Sequence, residues 1–150
     1  MTDAATVPQE PKGIGGWLIL PMLGTIISPL LTMAGLVESI DAFLKYGDKQ
    51  TATWKYFVIG EIIFMLAIIA GWIVAAFKLF QHKRIYPSLF VFMLASTLVY
   101  NLADTVAVAA MFNQPFDPTA VRDIGRPLVS LMVWAPYMYV SRRVKNTFVN

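Results

Sequence analysis

The chain has 150 residues, of which 57% are hydrophobic and 14% are charged, and its formal net charge is +3. Soluble domains contain about a quarter charged residues, so this composition and its long apolar runs indicate an integral membrane protein. The sequence contains no cysteine, which excludes disulfides, thiol nucleophiles and thiolate metal sites.

Three apolar segments are each expected to form a helix that crosses the membrane. The first spans residues 14–37 and ends where Glu38 and Asp41 return the chain to water. The second spans residues 56–80 and the third residues 88–111. Each exceeds the ~20 mostly apolar residues that a crossing helix needs.

The fourth apolar segment needs additional length, because its uninterrupted run covers only residues 128–140. Asp117 and Pro118 supply a helix start, since aspartate suits the N-cap and proline the first helical position. A fourth helix is therefore expected over residues 118–140, with its first two turns near the membrane surface. The predicted fold is all-α, an integral membrane four-helix bundle.

The chain is expected to form one domain. Residues 1–12 are polar and are expected to be mobile, whereas residues 13–150 form the transmembrane domain with a basic C-terminal tail. The N-terminus lacks the basic start and short apolar core of a cleaved signal peptide, so the first helix is expected to be retained. Because the sequence contains no nucleotide loop or nucleic-acid module, no nucleic-acid partner is expected.

Lysine and arginine positions predict that both termini are cytoplasmic. In that orientation seven basic residues fall on the cytoplasmic side and five on the other, and the compact clusters KLFQHKR and SRRVK lie directly at helix ends. Within the second cluster, Arg142, Arg143 and Lys145 are candidate contacts for anionic lipid headgroups, at ~1 kcal/mol each near the surface. The alternative is that they only determine topology.

Three stretches of sequence carry a resemblance to a known family. They are the opening GIGGWLILPMLGTIISPL, the pair Tyr86 and Pro87, and the ending WAPYMYVSRRVKNTFV. Together they resemble a family of small bacterial inner-membrane proteins classified only as a domain of unknown function. The likeness covers residues 13–149 and implies four crossings of the bacterial inner membrane. It supplies no activity.

Three ionisable residues fall at one depth in the predicted bundle. Asp104 lies seven residues before the end of its segment, or ~10 Å below the surface. Glu61 and Arg126 lie at a similar distance from the same side. Since a charge near mid-helix costs roughly 2.5 to 3.5 kcal/mol on insertion scales, pairing is expected. The sequence predicts that the Arg126 guanidinium binds both Asp104 and Glu61.

This pairing leaves one negative charge to be balanced. Either Arg122, one turn closer to water, supplies the balance, or one carboxylate is protonated. Asn101 shares a face of the third helix with Asp104 and is expected to hydrogen-bond beside the pair. Glu61 extending toward water is an alternative that would remove it from the cluster. The candidate polar cluster is Glu61, Asn101, Asp104, Arg122 and Arg126.

Two functions are compatible with this pattern. The first is a non-enzymatic structural, accessory or regulatory membrane component, in which the ion pair fixes helix packing and the partners are the lipid bilayer and a membrane protein or second copy. The second is a small proton-coupled transporter or permeation unit that uses Glu61, Asp104 and Arg126. The sequence shows no histidine pair, serine–base arrangement or metal-ligand spacing, so no enzyme activity, metal or cofactor is expected.

Overall fold

The computed structural model describes residues 13–112 and 118–149. Within these residues the chain is helical throughout, with short turns and no strand. The helices are α1 (Ile19–Tyr46), α2 (Ala52–Phe80), α3 (Tyr86–Phe112), α4 (Pro118–Val140) and α5 (Arg142–Thr147). Short 3₁₀ turns precede α1 at Gly16–Leu18 and follow it at Gly47–Lys49.

The predicted all-α membrane bundle is confirmed. Three stretches, Gly16–Lys49, Ala52–Phe80 and Tyr86–Met111, are long and apolar enough to cross a membrane. The fourth helix, α4, has the predicted range of residues 118–140. The predicted N-cap at Asp117 and the N-terminal segment 1–12 lie outside the described residues.

The helical structure extends further than predicted in two charged segments, the end of α1 and the basic C-terminal tail. Helix α1 continues through Glu38 and Asp41 to Tyr46, because the end of an apolar run marks the membrane surface and does not by itself end a helix. Lys45 and Asp41, four residues apart, form an ion pair of 2.7 Å between Nζ and Oδ2 that supports these last turns. The basic tail forms the unpredicted helix α5, since Val144 and its neighbours are buried against the bundle.

Two helices begin earlier than expected. Helix α2 begins at Ala52, four residues before the predicted start, because the side chain of Thr51 accepts a hydrogen bond of 3.3 Å from the Trp54 N–H. Helix α3 begins at Tyr86, and Pro87 occupies its first turn, where a missing N–H interrupts no helical hydrogen bond.

The helices pack as two hairpins. Helix α1 packs along α2, α3 packs along α4, and the hairpins meet mainly through α2 and α3, whereas α1 and α4 are not in comparable contact. The two ends of the described chain and the α2–α3 turn lie at one end of the bundle, here called the terminal end. The opposite end, where α1 connects to α2, is called the cavity end.

A buried apolar core closes the terminal end. Its largest buried side chains include Leu18, Trp72, Tyr86 and Met138, and Phe148 packs on Tyr86 with ring centroids 4.7 Å apart. This terminal core brings together the three stretches that carry the family resemblance, because Leu18 lies in the opening, Tyr86 in the YP pair, and Met138 and Phe148 in the ending.

Hydrogen bonds reinforce the terminal core. The Tyr86 and Thr25 hydroxyls are 2.9 Å apart, and Thr25 also donates to the Pro21 carbonyl at 2.9 Å, so Tyr86 is the donor to Thr25. The Gly13 N–H donates to the Thr147 hydroxyl at 3.0 Å. Gly13 is therefore linked to α5, and α1 to α3, by polar contacts as well as by packing.

Candidate functional site

A polar cavity of about 680 Å³ occupies the other half of the bundle, among the four long helices. Its acidic and amide lining residues are Glu61, Asn101, Asp104 and Asp123, and its hydroxyl-bearing lining residues include Thr32, Thr97, Tyr100 and Thr105. Asp123 is itself exposed, so the cavity is open to the surroundings at that edge. We refer to this space as the polar cavity.

Glu61 is held in the wall of the polar cavity by two hydroxyl groups from other helices. Its Oε1 accepts a hydrogen bond of 3.0 Å from Ser39 of α1 and one of 3.3 Å from Tyr100 of α3. The Tyr100 ring stacks on Phe64, with centroids 5.2 Å apart and planes at 11°. Glu61 therefore has a fixed orientation that depends on α1, α2 and α3 together.

Glu61 also borders a second cavity of about 430 Å³. Ser39, Gln50 and Trp54 contribute to its wall, which places this second cavity toward the cavity end and the α1–α2 connection. The Glu61 carboxylate thus borders both cavities.

Asp104 is half-buried in the wall of the polar cavity. Among the described residues no side chain or backbone group forms a hydrogen bond or ion pair with its carboxylate, and the Glu61 carboxylate lines the same cavity. A carboxylate at this depth needs water, a proton or a cation to compensate for lost hydration. The cavity beside Asp104 has space for any of the three.

The predicted ion pair of Arg126 with Asp104 and Glu61 is wrong. Among the described residues the only salt bridge is the one between Lys45 and Asp41. Arg122 and Arg126 are exposed and do not line the polar cavity, so Arg122 does not balance the carboxylates either.

The two arginines miss the polar cavity for different reasons. Asp123 lines the cavity, and Arg122, one position earlier, is rotated about 100° away from it on the helix surface. Arg126 lies about one turn farther along α4, where the helix no longer lines the cavity. A long arginine side chain can extend its charge toward the interface, and it then needs no buried partner.

Asn101 contacts α4 in a different way from the one predicted. Its side-chain amide donates a hydrogen bond of 2.7 Å to the main-chain carbonyl of Asp123. Pro127, inside α4 and four residues later, has no N–H to donate to that carbonyl. The Asn101 side chain therefore replaces the missing helical hydrogen bond and joins α3 to α4.

Three residues at the site were not among the predicted ones. Tyr100 is adjacent to Asn101 and four residues before Asp104, so its position on the cavity face was visible from helical spacing. Ser39 was missed because the first helix was expected to end at residue 37. Asp123 was missed because the arginines were assigned to the inner face of α4.

The three predicted lipid-contact residues are all on α5 at the terminal end. Arg142 and Lys145 are exposed, and Arg143 is half-buried with its guanidinium against Gly15 and Gly16. A Cβ on Gly15 would lie 2.7 Å from Arg143 Nη1, a contact that the flexible arginine side chain can relieve by moving. Within the described residues, no three His, Cys, Asp or Glu side chains are grouped so as to hold a metal ion.

Comparison with known proteins agrees with this architecture. The family model described as protein of unknown function (DUF2569) matches residues 11–149. The chain belongs to this family. The DUF2569 protein is also 28% identical over 151 residues to the inner membrane protein YdgK of Escherichia coli (strain K12), covering 93% of this chain and 96% of that relative. No solved structure matches this chain.

Proposed function

We propose that this DUF2569 protein is a multi-pass protein of the bacterial inner membrane that acts as a small proton-linked carrier or permeation unit through Glu61 and Asp104. Its three long apolar helices and its similarity to a protein named as an inner membrane protein support the location. The observation that carries the proposal is the polar cavity, which is lined by the carboxylates of Glu61, Asp104 and the exposed Asp123 and by no basic side chain among the described residues.

The lining of the polar cavity favours proton exchange over a fixed architectural role. Carboxylates that lock helices together are expected to have a basic partner, because unpaired charges inside a membrane are expensive. Within residues 13–112 and 118–149, Asp104 has no basic partner, and Glu61 accepts hydrogen bonds from the neutral hydroxyl groups of Ser39 and Tyr100. Both groups can therefore take up a proton or a cation from the cavity without first breaking an ion pair.

The terminal core determines the kind of passage that this structure supports. Trp72, Tyr86 and Phe90 are buried in it, with Trp72 and Phe90 in edge contact at 5.8 Å. The polar cavity thus reaches an exposed edge at Asp123, whereas the opposite end of the bundle is filled by the terminal core. A carrier that opens alternately to the two sides has this form, whereas a continuous pore does not.

For orientation, we propose that the terminal end and both termini face the cytoplasm. The basic residues of the α2–α3 turn and α5 are concentrated at that end. The polar cavity then opens toward the periplasm, where a proton gradient would load Glu61 and Asp104.

A second candidate is a non-enzymatic accessory component that binds a membrane partner or a second copy. The weak contact between α1 and α4 favours it, because Leu31 of α1, in the wall of the cavity that both helices line, is 69% exposed. The sequence argument for this candidate depended on an ion pair of Arg126 with Asp104 and Glu61, and the described residues do not form it. We therefore place this candidate second. Neither candidate requires bond-breaking chemistry, and we propose that the protein is not an enzyme.

Proton flux into sealed proteoliposomes tests the first candidate. Vesicles carrying a pH-sensitive dye are driven by a potassium diffusion potential, with and without the small-molecule fraction of a bacterial extract. We expect acidification to exceed the protein-free rate, and to return to that rate with Asp104→Asn or Glu61→Gln. Asp48→Asn, at an exposed position on the α1–α2 connection, is the control and should keep the wild-type rate.

Wild-type flux equal to the protein-free rate under both conditions would reject the carrier. Equal flux in wild type and Asp104→Asn would reject the role of this carboxylate. A folded-state check by size-exclusion chromatography separates lost transport from lost structure.

A further inference from the structure

We propose that the terminal end of the bundle holds a binding site for an anionic phospholipid. The basic end face is formed by Lys78, Lys83, Arg84, Arg142, Arg143 and Lys145. The site lies at the opposite end of the bundle from Glu61 and Asp104, and it does not depend on the proposed function.

The charge of the basic end face is not compensated by acidic residues. Residues 13–37, 62–103 and 124–149 contain no aspartate or glutamate, and these ranges include every described segment of the terminal end. Lys83, Arg84, Arg142 and Lys145 are exposed and form no ion pair with a described residue. An anion at this surface therefore meets several basic groups without displacing a protein carboxylate.

Packing brings the two basic segments together. Phe148, directly after α5, contacts Tyr86 of α3 and lies 6.2 Å from the His82 ring in the α2–α3 turn. His82 has a positive φ of 53°, which makes the turn tight and keeps Lys83 and Arg84 next to the core. The end of α5 and the α2–α3 turn, which carry the basic residues, are therefore adjacent at the terminal end.

The surroundings of the basic end face favour a lipid over a free anion. Exposed apolar side chains adjoin the basic ones in sequence: Phe80 and Ile85 are 59% exposed, and Val140 is 73% exposed. A phospholipid satisfies both components, because its phosphate binds the cations and its acyl chains cover apolar side chains at the helix ends. Inorganic phosphate satisfies only the first.

The test measures lipid binding to the purified full-length protein in a neutral detergent by native mass spectrometry. Phosphatidylglycerol is compared with phosphatidylcholine, and inorganic phosphate is added in excess as a competitor. The test variant is Lys83→Gln/Arg84→Gln/Arg142→Gln/Lys145→Gln. The control variant, Lys49→Gln/Lys55→Gln/Arg122→Gln/Arg126→Gln, removes the same charge from residues outside the basic end face.

We expect wild type and control to bind phosphatidylglycerol at least about tenfold more tightly than phosphatidylcholine, and the test variant to lose most of this preference. Excess phosphate should not displace the lipid. The proposal is overturned if the test variant keeps the wild-type preference, if the control loses as much, or if phosphate competes fully. If the fourfold variant does not fold, the double variants Lys83→Gln/Arg84→Gln and Arg142→Gln/Lys145→Gln replace it. Each double variant should weaken the preference for phosphatidylglycerol. The proposal is overturned if both bind the two lipids as the wild type does.

Discussion

The Asn101 side-chain amide lies 2.7 Å from the main-chain carbonyl oxygen of Asp123 and donates a hydrogen bond to it. Inside a membrane a carbonyl left without a donor is costly, and a proline four residues later creates that situation. Asn101 of α3 therefore supplies the hydrogen bond to the Asp123 carbonyl that Pro127 of α4 cannot donate. It also fixes the edge of the polar cavity where Asp123 lies.

Replacing Asn101 with alanine should lower the free energy of unfolding by about 1 kcal/mol, the scale of hydrogen bonds between membrane helices. In a Pro127→Ala background the loss should be smaller, because the alanine N–H can bond to the Asp123 carbonyl. Reversible unfolding in mixed micelles measures both. An equal loss in the two backgrounds would show that Asn101 does not compensate for the proline.

Arg126 should be dispensable for stability. Since it is exposed and unpaired among the described residues, Arg126→Gln should change the free energy of unfolding by no more than about 0.5 kcal/mol. Breaking a buried ion pair would instead cost about 3 to 5 kcal/mol. In a double-mutant cycle, the effects of Arg126→Gln and Asp104→Asn on the free energy of unfolding should be additive. A strong coupling energy between the two substitutions would be evidence for an ion pair between Arg126 and Asp104, and would contradict the structure.

The two hydroxyl donors to Glu61 should stabilise the fold through that carboxylate. Ser39→Ala and Tyr100→Phe should each cost about 1 kcal/mol, and the serine more than the tyrosine because its hydrogen bond is shorter. In a Glu61→Leu background both costs should shrink, since the acceptor is gone. Thermal unfolding of the single and double variants measures this, and costs unchanged by Glu61→Leu would refute the assignment.

The terminal core should depend on Gly16 and Tyr86. Gly16 has a φ of +56°, so Gly16→Ala introduces strain of about 1 kcal/mol. Tyr86→Phe removes the hydrogen bond to Thr25 at a cost of about 1 kcal/mol and leaves the ring contact with Phe148. Thermal unfolding checks both, with Gly24→Ala, which meets no neighbour within 4 Å, as the control.

Apolar runs were enough to predict the helices of this fold, because membrane-spanning segments need a minimum length of apolar sequence. The start of α4 was predicted from Asp117 and Pro118 as capping residues and not from its short apolar run. Helix α5 was missed because its formation depends on burial of Val144 and Phe148 against helices distant in sequence. The extension of α1 past Glu38 was missed because hydropathy detects the membrane boundary, and helix capping and ion pairs decide where the helix ends.

The depth argument placed Glu61 and Asp104 at one level, helical spacing placed Asn101 beside Asp104, and the structure places all three around the polar cavity. The depth argument also placed Arg126 there, but it gives only an approximate height and does not determine which residues of α4 reach the cavity. The face of α4 is set by contacts with α3, including the Asn101 hydrogen bond to Asp123, and these pair residues that no local pattern connects.

The central claim is that Asp104 lies in a wet cavity that opens at the cavity end alone. Because the sequence contains no cysteine, single-cysteine variants can be labelled without background. Asp104→Cys and Thr105→Cys should react with a membrane-impermeant maleimide added on the side of the cavity end and not on the other side. Ala75→Cys, fully buried in the terminal core, should not react from either side. An Asp104→Cys protein that is unreactive from both sides, or reactive from both, would contradict the account.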